Sequence, residues 1–322
     1  MPLDPQAAAM IASAKAAKSP SIATLPIAES RAAYRERYLA RGPKPAAVER
    51  VEELNIPGPA GAVRSRLYVP QGGSAAGSLV VYFHGGGFVV GDVEAYDAQS
   101  RLFAQRTGCT LLVPDYRLAP EHPHPAAVDD ALAVVRWASR HARRLGVEPA
   151  RIAVAGDSAG GNLAAVVSQC LRDLESPLVC QLLLYPVTDY RPFSTVDHLY
   201  ESTKAFASGY FLDRSTMEWF RSHHLPNRED ALQPRASPLL APDAAFRDLP
   251  PAYVVTAGYD PLRDMGKAYA DRLTAAGVPV TYRCFETLIH NFLGYMTLVD
   301  AAGAAFDEIA GELARRMSVQ TG

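Results

Sequence analysis

Hydrophobic and polar positions change period several times along this 322-residue chain, and each change marks an element. Residues 79–83, 110–113, 152–155 and 253–256 are apolar almost without interruption, as are 179–184 apart from Gln181. Short runs of that kind suit strands covered on both faces, as in a parallel sheet. Residues 51–56 and 63–69 alternate or nearly alternate, which suits half-buried antiparallel strands, and the Gly-Pro-Ala-Gly at 58–61 turns the chain between them. Residues 280–285 read as a further strand. Helical stretches separate the strands at roughly 95–106, 125–145, 160–174, 262–275 and 302–317. Strand alternating with helix predicts an α/β fold, a parallel sheet with helices on both faces.

Two segments stand outside this rhythm. Residues 1–45 are Ala-rich and broken by Pro20, Pro26, Pro43 and Pro45, with amphipathic helices expected at 5–17 and 28–41. Arg31, Arg35, Glu36 and Arg41 make one side of the second helix polar. Residues 190–227 are polar and aromatic by turns and read as a helical insertion between two sheet strands. The core is therefore expected from 46–189 and 228–322.

Composition narrows the class. Hydrophobic residues make up 48% and charged residues 20%, which excludes a disordered chain. Lys and Arg total 32 against 34 Asp and Glu, so the electrostatic footprint of a nucleic-acid binder is missing. Cys109, Cys170, Cys180 and Cys284 form no C-x-x-C, which argues against a structural zinc or a disulfide scaffold. No apolar run reaches 18 residues, and the first residues lack a basic region followed by an apolar one. A cytoplasmic protein with no membrane span is expected. A homodimer is compatible with the sequence.

The chemistry lies in the turns after strands. Gly156-Asp157-Ser158-Ala159-Gly160 is G-x-S-x-G between a strand and a helix, the context of a nucleophile elbow. A phosphate loop would want a Lys after the glycines, and Asn162 and Leu163 stand there instead. His84-Gly85-Gly86-Gly87 follows the strand ending at Phe83. Three glycines present backbone N–H groups with no side chain in the way, as a developing oxyanion requires. His84 reads as a brace for this loop, with no second ligand nearby to make it a metal site.

A serine nucleophile needs a base and an acid. After Ser158 the histidines are His198, His223, His224 and His290, and only His290 follows a sheet strand. The hydrolase order of serine, acid, histidine then places the acid after the strand at 253–256. Asp260 is the candidate and Asp264 its rival. Pro261 favours Asp260, because proline suits the first position of a helix. Asp115-Tyr116-Arg117 reads as a loop-ordering segment.

These residues together resemble the hormone-sensitive-lipase-like branch of the α/β-hydrolases, the bacterial family IV esterases. The likeness rests on His84-Gly85-Gly86-Gly87-Phe88, the stretch from Asp115 to Pro123, Gly156 to Asn162, Asp260-Pro261-Leu262-Arg263-Asp264 and Ile289-His290-Asn291-Phe292. It covers about residues 50–317 in order. Met265 stands where the family often has Glu, and Thr287 and Asn291 where it often has Gly.

The resemblance implies a mostly parallel eight-stranded sheet with helices on both faces and a helical cap. The cap would be built from the arm at 1–45 and the insertion at 190–227. It implies hydrolysis of short- to medium-chain acyl esters, small-molecule substrates, without cofactor or metal. It carries nucleophile, acid and base to Ser158, Asp260 and His290. Oxyanion donors carry to the Gly85, Gly86 and Ala159 N–H groups, with Gly87 as an alternative to Gly85. Pocket walls are expected at Phe88, Tyr185, Val187, Phe206, Phe211, Leu288 and Ile289. Other classes fit less well. A non-catalytic receptor on this fold would lack the histidine. An amidase could share the triad, but an oligopeptidase would need a large extra domain.

Overall fold

The computed structural model describes residues 1–18, 20–74, 77–172, 174–193 and 199–318. Eight strands form one sheet in the order β1-β2-β4-β3-β5-β6-β7-β8. They are β1 (Arg50–Gly58), β2 (Gly61–Val69), β3 (Leu79–Phe83), β4 (Thr110–Pro114), β5 (Ile152–Asp157), β6 (Cys180–Leu184), β7 (Ala252–Tyr259) and β8 (Val280–Ile289). β1 and β2 form a hairpin in which Arg50 faces Val69 and Gly58 faces Gly61. β2 also runs antiparallel to β4, and every pairing from β4 through β8 is parallel.

The uninterrupted apolar runs have a direct physical reason. Every residue of β3, β4, β5 and β6 is buried, because helices cover both faces of the sheet. In β3, Leu79, Val81 and Phe83 point into one core, while Val80 and Tyr82 point into the other. The first core also holds residues of α4 (Ala126–Arg140), α5 (Ala159–Cys170) and α8 (Arg263–Ala275). The second holds residues of α3 (Asp97–Thr107) and α9 (Asp300–Ser318). β8 is an edge strand and alternates in burial until Leu288 and Ile289, which are buried.

The arm is helical, as its pattern predicts. α1 spans Pro5–Ala16 and α2 spans Ile27–Arg41. Asp4 caps α1 by accepting from the Gln6 N–H at 2.8 Å, and its own N–H donates to Thr287 O at 2.9 Å. The polar side of α2 is an anchor. Arg31 donates to Val89 O at 2.9 Å and to Ala119 O at 3.0 Å, and pairs with Glu121. Arg35 pairs with Asp92 at 2.6 Å.

The described part of the insertion contains α6 (Glu201–Ala205) and α7 (Arg214–His224). His198 lies outside the described residues. Between α7 and β7 the chain runs through three short 3₁₀ turns rather than sheet: Arg228–Leu232, Pro238–Leu240 and Asp243–Phe246. Among the described residues, no helix is long and apolar enough to cross a membrane.

The 115–117 segment orders a loop through a different pair from the one its adjacency suggests. Arg117 grips the buried Asp130 of α4, at 2.8 Å in the shortest contact. Asp115 instead accepts from the Val93 N–H at 3.4 Å.

Candidate active site

Three strand ends converge on one point. β5 ends at Asp157, and Ser158 follows with φ 55° and ψ −113°, a strained conformation for any residue but glycine. The turn is tight enough to dictate its flanks. A Cβ on Gly160 would lie 1.9 Å from Phe83 O, and one on Gly156 would lie 2.2 Å from Gly160 O. The Ser158 N–H donates to Leu184 O at 2.8 Å, which ties the turn to β6. Asn162, one turn into α5, donates from Nδ2 to Val187 O and Ala236 O at 2.8 Å each.

β8 delivers His290 to this turn. His290 Nε2 lies 3.0 Å from Ser158 Oγ, and Nδ1 lies 2.8 Å from Asp260 Oδ2. Asp260 is wholly buried just past β7, and its Oδ1 accepts from the Leu262 N–H at 2.8 Å. Both carboxylate oxygens therefore have donors, as a buried acceptor requires. Asp264 does not reach His290; it pairs with Arg263 and accepts from the Ser202 N–H at 2.7 Å. α8 begins at Arg263, so Pro261 lies in the turn before the helix rather than at its first position.

The glycine loop packs against the same turn. His84 Nδ1 lies 2.7 Å from Gly85 O. A carbonyl only accepts, so Nδ1 carries the proton. The ring stacks on Tyr116 at 4.3 Å, and the Tyr116 hydroxyl donates to His84 O at 2.7 Å. His84 is thus a brace. In a trans peptide the N–H points away from its C=O. Holding Gly85 O therefore aims the Gly86 N–H the other way. Gly86 O accepts from the Val89 and Val90 N–H groups at 3.0 Å each, which orients the Gly87 N–H by the same rule. Ser158 O accepts from the Asn162 N–H at 3.1 Å and the Val187 N–H at 3.3 Å, which orients the Ala159 N–H. Among the described residues, the N–H groups of Gly86, Gly87 and Ala159 have no protein acceptor.

Gly85 differs, and the expectation for it needs correction. Its N–H already donates to Asp157 Oδ1 at 3.0 Å, with the Tyr96 hydroxyl at 3.1 Å. A donor engaged by a buried carboxyl is not free for an oxyanion. Glycine is needed here for space, since a Cβ would sit 2.3 Å from Asp157 Oδ2. The glycine pattern could not reveal this, because three adjacent glycines look alike until a carboxyl claims one of them.

The expected pocket residues divide. Tyr185, at φ 36°, stands edge-on to the His290 ring at 5.0 Å. Val187 touches the elbow through the hydrogen bond to Ser158 O, and Leu288 and Ile289 are buried immediately before His290. Phe88, also at positive φ, is buried beside the glycine loop and stacks on His224 of α7 at 3.8 Å. Phe206 packs on Tyr210, Tyr259 and the Arg263 guanidinium, and Phe211 stacks on Tyr295 at 5.6 Å. Phe220 of α7 is the aromatic that covers the loop: a Cβ on Gly87 would meet its ring at 2.3 Å.

The chain is similar to known proteins. A family model described as the alpha/beta hydrolase fold matches residues 80–294. The carboxylic ester hydrolase LipN of Mycobacterium tuberculosis is 43% identical over 276 residues, covering 83% of this chain and 71% of LipN. The esterase LipI of the same organism is 44% identical over 261 residues, covering 80% of this chain and 79% of LipI. A solved α/β-hydrolase from the metagenome of Lake Arreo, Spain, superposes with a TM-score of 0.91 at 40% identity, over 98% of this chain and 99% of that one. A family model that spans most of the chain and two esterases above 40% identity lead to one conclusion: the chain belongs to the α/β-hydrolase fold family, in its hormone-sensitive-lipase-like carboxylesterase group.

Proposed function

We propose that the chain hydrolyses carboxylic esters of short to medium acyl chains, with Ser158 as nucleophile, His290 as base and Asp260 as the acid that orients it. The observation that carries this reading is the continuous hydrogen-bonded chain from Ser158 Oγ through His290 to Asp260. Ser158 Oγ attacks the ester carbonyl carbon while His290 Nε2 takes the hydroxyl proton. Asp260 keeps the Nδ1 proton facing it and stabilises the imidazolium that forms. The carbonyl oxygen becomes an oxyanion, which the N–H groups of Gly86, Gly87 and Ala159 stabilise from orientations set by their own peptide carbonyls. The start of α5 adds the positive end of the helix dipole. His290 then returns the proton to the leaving alkoxide, and the alcohol departs. Water attacks the acyl-enzyme by the same route in reverse: His290 takes its proton, and Ser158 leaves with it.

The cap reading places the arm and the insertion over the glycine loop. Its support is Arg31 on Val89 O and Phe220 against Gly87. The acyl pocket is assigned to Phe88, Tyr185, Val187, Leu288 and Ile289. The test is Ser158→Ala on a chromogenic short-chain ester. Loss of about 10⁴-fold or more in kcat with an intact fold is expected. Retention of a tenth of the activity would exclude Ser158 as nucleophile.

A further inference from the structure

Asp157 stands directly before the nucleophile, yet the triad chemistry does not use it. It is 1% exposed, and no cation pairs with it among the described residues. Three donors surround the carboxyl instead: the Tyr82 hydroxyl at 2.8 Å, the Tyr96 hydroxyl at 3.0 Å and the Gly85 N–H at 3.0 Å. The tyrosines lead outward. Tyr34 of α2 reaches the Tyr96 hydroxyl at 3.2 Å, Tyr38 of α2 stacks on the Tyr96 ring at 4.5 Å, and Gln99 holds the Tyr38 hydroxyl at 2.9 Å. A buried carboxyl costs stability unless its geometry is satisfied and useful.

We propose that Asp157 is a positioning residue for the oxyanion loop: it holds the N–H side of the peptide between His84 and Gly85, whose carbonyl side the Tyr116 hydroxyl holds, while His84 fixes the next peptide, between Gly85 and Gly86. Consecutive peptide planes pinned on opposite sides leave the Gly86 N–H one direction. Neither bond suffices alone, because glycine at 85 leaves both flanking dihedrals free to rotate. The nucleophile's own strand thus sets the donors that stabilise its oxyanion. The tyrosines supply neutral donors that hold the carboxyl without placing a cation there. Burial keeps both hydroxyls protonated, with pKa values well above the ordinary tyrosine range.

This inference rests on the assignment of Gly86 and Ala159 as oxyanion donors to the acyl-enzyme chemistry of Ser158. Its test compares Asp157→Ala with Asp157→Asn, with active sites counted by a fluorophosphonate that labels a reactive serine. Labelling of Ser158 in every variant shows that the nucleophile assignment holds, whatever happens to Asp157. Alanine removes the carboxyl acceptor and leaves the Gly85 N–H only the Tyr96 hydroxyl, itself released from Asp157; asparagine keeps one oxygen there and offers its amide to the Tyr96 hydroxyl. The expected result is a kcat per labelled site about 10²-fold lower in D157A, the size of losing one oxyanion donor, with KM within about threefold. D157N should recover at least about tenfold of that loss, and the rate of phosphonylation should fall in parallel with kcat. A merely structural role would lower the labelled fraction and leave kcat per site alone. D157A within about threefold of wild type per site, or D157N no better than D157A, overturns the proposal. If D157A does not fold, Tyr82→Phe/Tyr96→Phe takes its place, since it leaves the carboxyl held by Gly85 alone. A drop of at least about fivefold in kcat per site at unchanged KM is then expected, and a kcat within about twofold overturns it.

Discussion

The Asp264 carboxylate accepts the Ser202 N–H at 2.7 Å, and the Ser202 hydroxyl reaches the Asp264 N–H at 3.2 Å, so the start of α8 and the start of α6 hold each other. Burial raises the Asp264 pKa, but pairing with Arg263 and the Ser202 N–H outweighs it and holds the carboxyl below its ordinary value. Asp264 is therefore a charged strut between α8 and α6, while Asp260, four residues earlier, faces His290. Asp260→Asn should lower kcat by about 10⁴-fold through the wrong imidazole tautomer. Asp264→Asn should cost about 1 kcal/mol of stability and little rate, as loss of a half-buried charge-assisted bond does. Steady-state rates at matched folded concentration, with urea unfolding alongside, separate the two. A larger rate loss in D264N would reverse the assignment.

Much of this architecture is legible in the residues, for reasons that also mark where legibility stops. Strands buried on both faces are apolar at nearly every position, so β3 to β7 announce themselves. Ser158, Asp260 and His290 are legible because each follows a strand and chain order limits the choice. Side-chain partnering is different, because it depends on distances that sequence separation does not encode. Arg117 takes Asp130 rather than the neighbouring Asp115. Gly85 spends its N–H on Asp157. Phe206 and Phe211 take Tyr259 and Tyr295 as ring partners, which their sequence positions do not announce. Arg31 looks like part of a solvated helix face, yet it caps two carbonyls of the core.

The elbow glycines set a stability prediction. A Cβ on Gly160 would approach Phe83 O at 1.9 Å and His84 O at 2.7 Å, both backbone atoms that cannot swing aside. Gly160→Ala should therefore cost about 3 kcal/mol, the upper end of overpacking penalties, by forcing β3 and α5 apart. By contrast, a Cβ on Gly311, in α9, meets nothing within 4 Å, so Gly311→Ala should gain up to about 1 kcal/mol from helix propensity. Chemical denaturation midpoints of the two variants check the contrast. Equal midpoints would show that the elbow tolerates a side chain.

Acid should loosen the contact between α7 and the glycine loop. The His224 pKa lies well below its ordinary value of 6.5, chiefly because the ring is buried, with the neighbouring His124 ring adding to the effect. His124 is lowered as well, by burial and then by Arg235. A depressed histidine pKa means that the unfolded chain takes up protons first. Stability should be full above about pH 6.5 and fall as pH drops below it, by at most about 1.4 kcal/mol per pH unit for each histidine. His224→Phe keeps a ring against Phe88 and removes one titration, so its stability should fall less steeply between pH 6.5 and 5. Parallel slopes for wild type and H224F, from unfolding at a series of pH values, would remove His224 from the account.

The proposed cap sets the last prediction, acyl length. α2 is tied to the loop side of the core by Arg31, Arg35 and Tyr34, and α7 lies over Gly87 and Phe88. On the proposed reading, a cover fastened at that many points closes one end of the acyl site. Each methylene that still fits adds about 0.8 kcal/mol of binding, roughly fourfold in kcat/KM. Once the chain meets packed aromatic walls, the gain turns into strain of about 1–3 kcal/mol for each further insertion. The profile of kcat/KM across p-nitrophenyl esters should therefore peak between acetyl and hexanoyl and fall steeply by decanoyl. Deleting residues 1–40 removes Arg31, Arg35 and Tyr34 together, so it should flatten the profile and lower the melting temperature. The same deletion exposes Tyr96, which is wholly buried, and its hydroxyl loses Tyr34. Activity on acetyl esters should accordingly drop as well, and not merely lose its chain-length preference. If the intact chain instead hydrolyses long-chain triacylglycerol robustly at an oil–water interface, the cover must swing open onto lipid, and a closed acyl site is the wrong description.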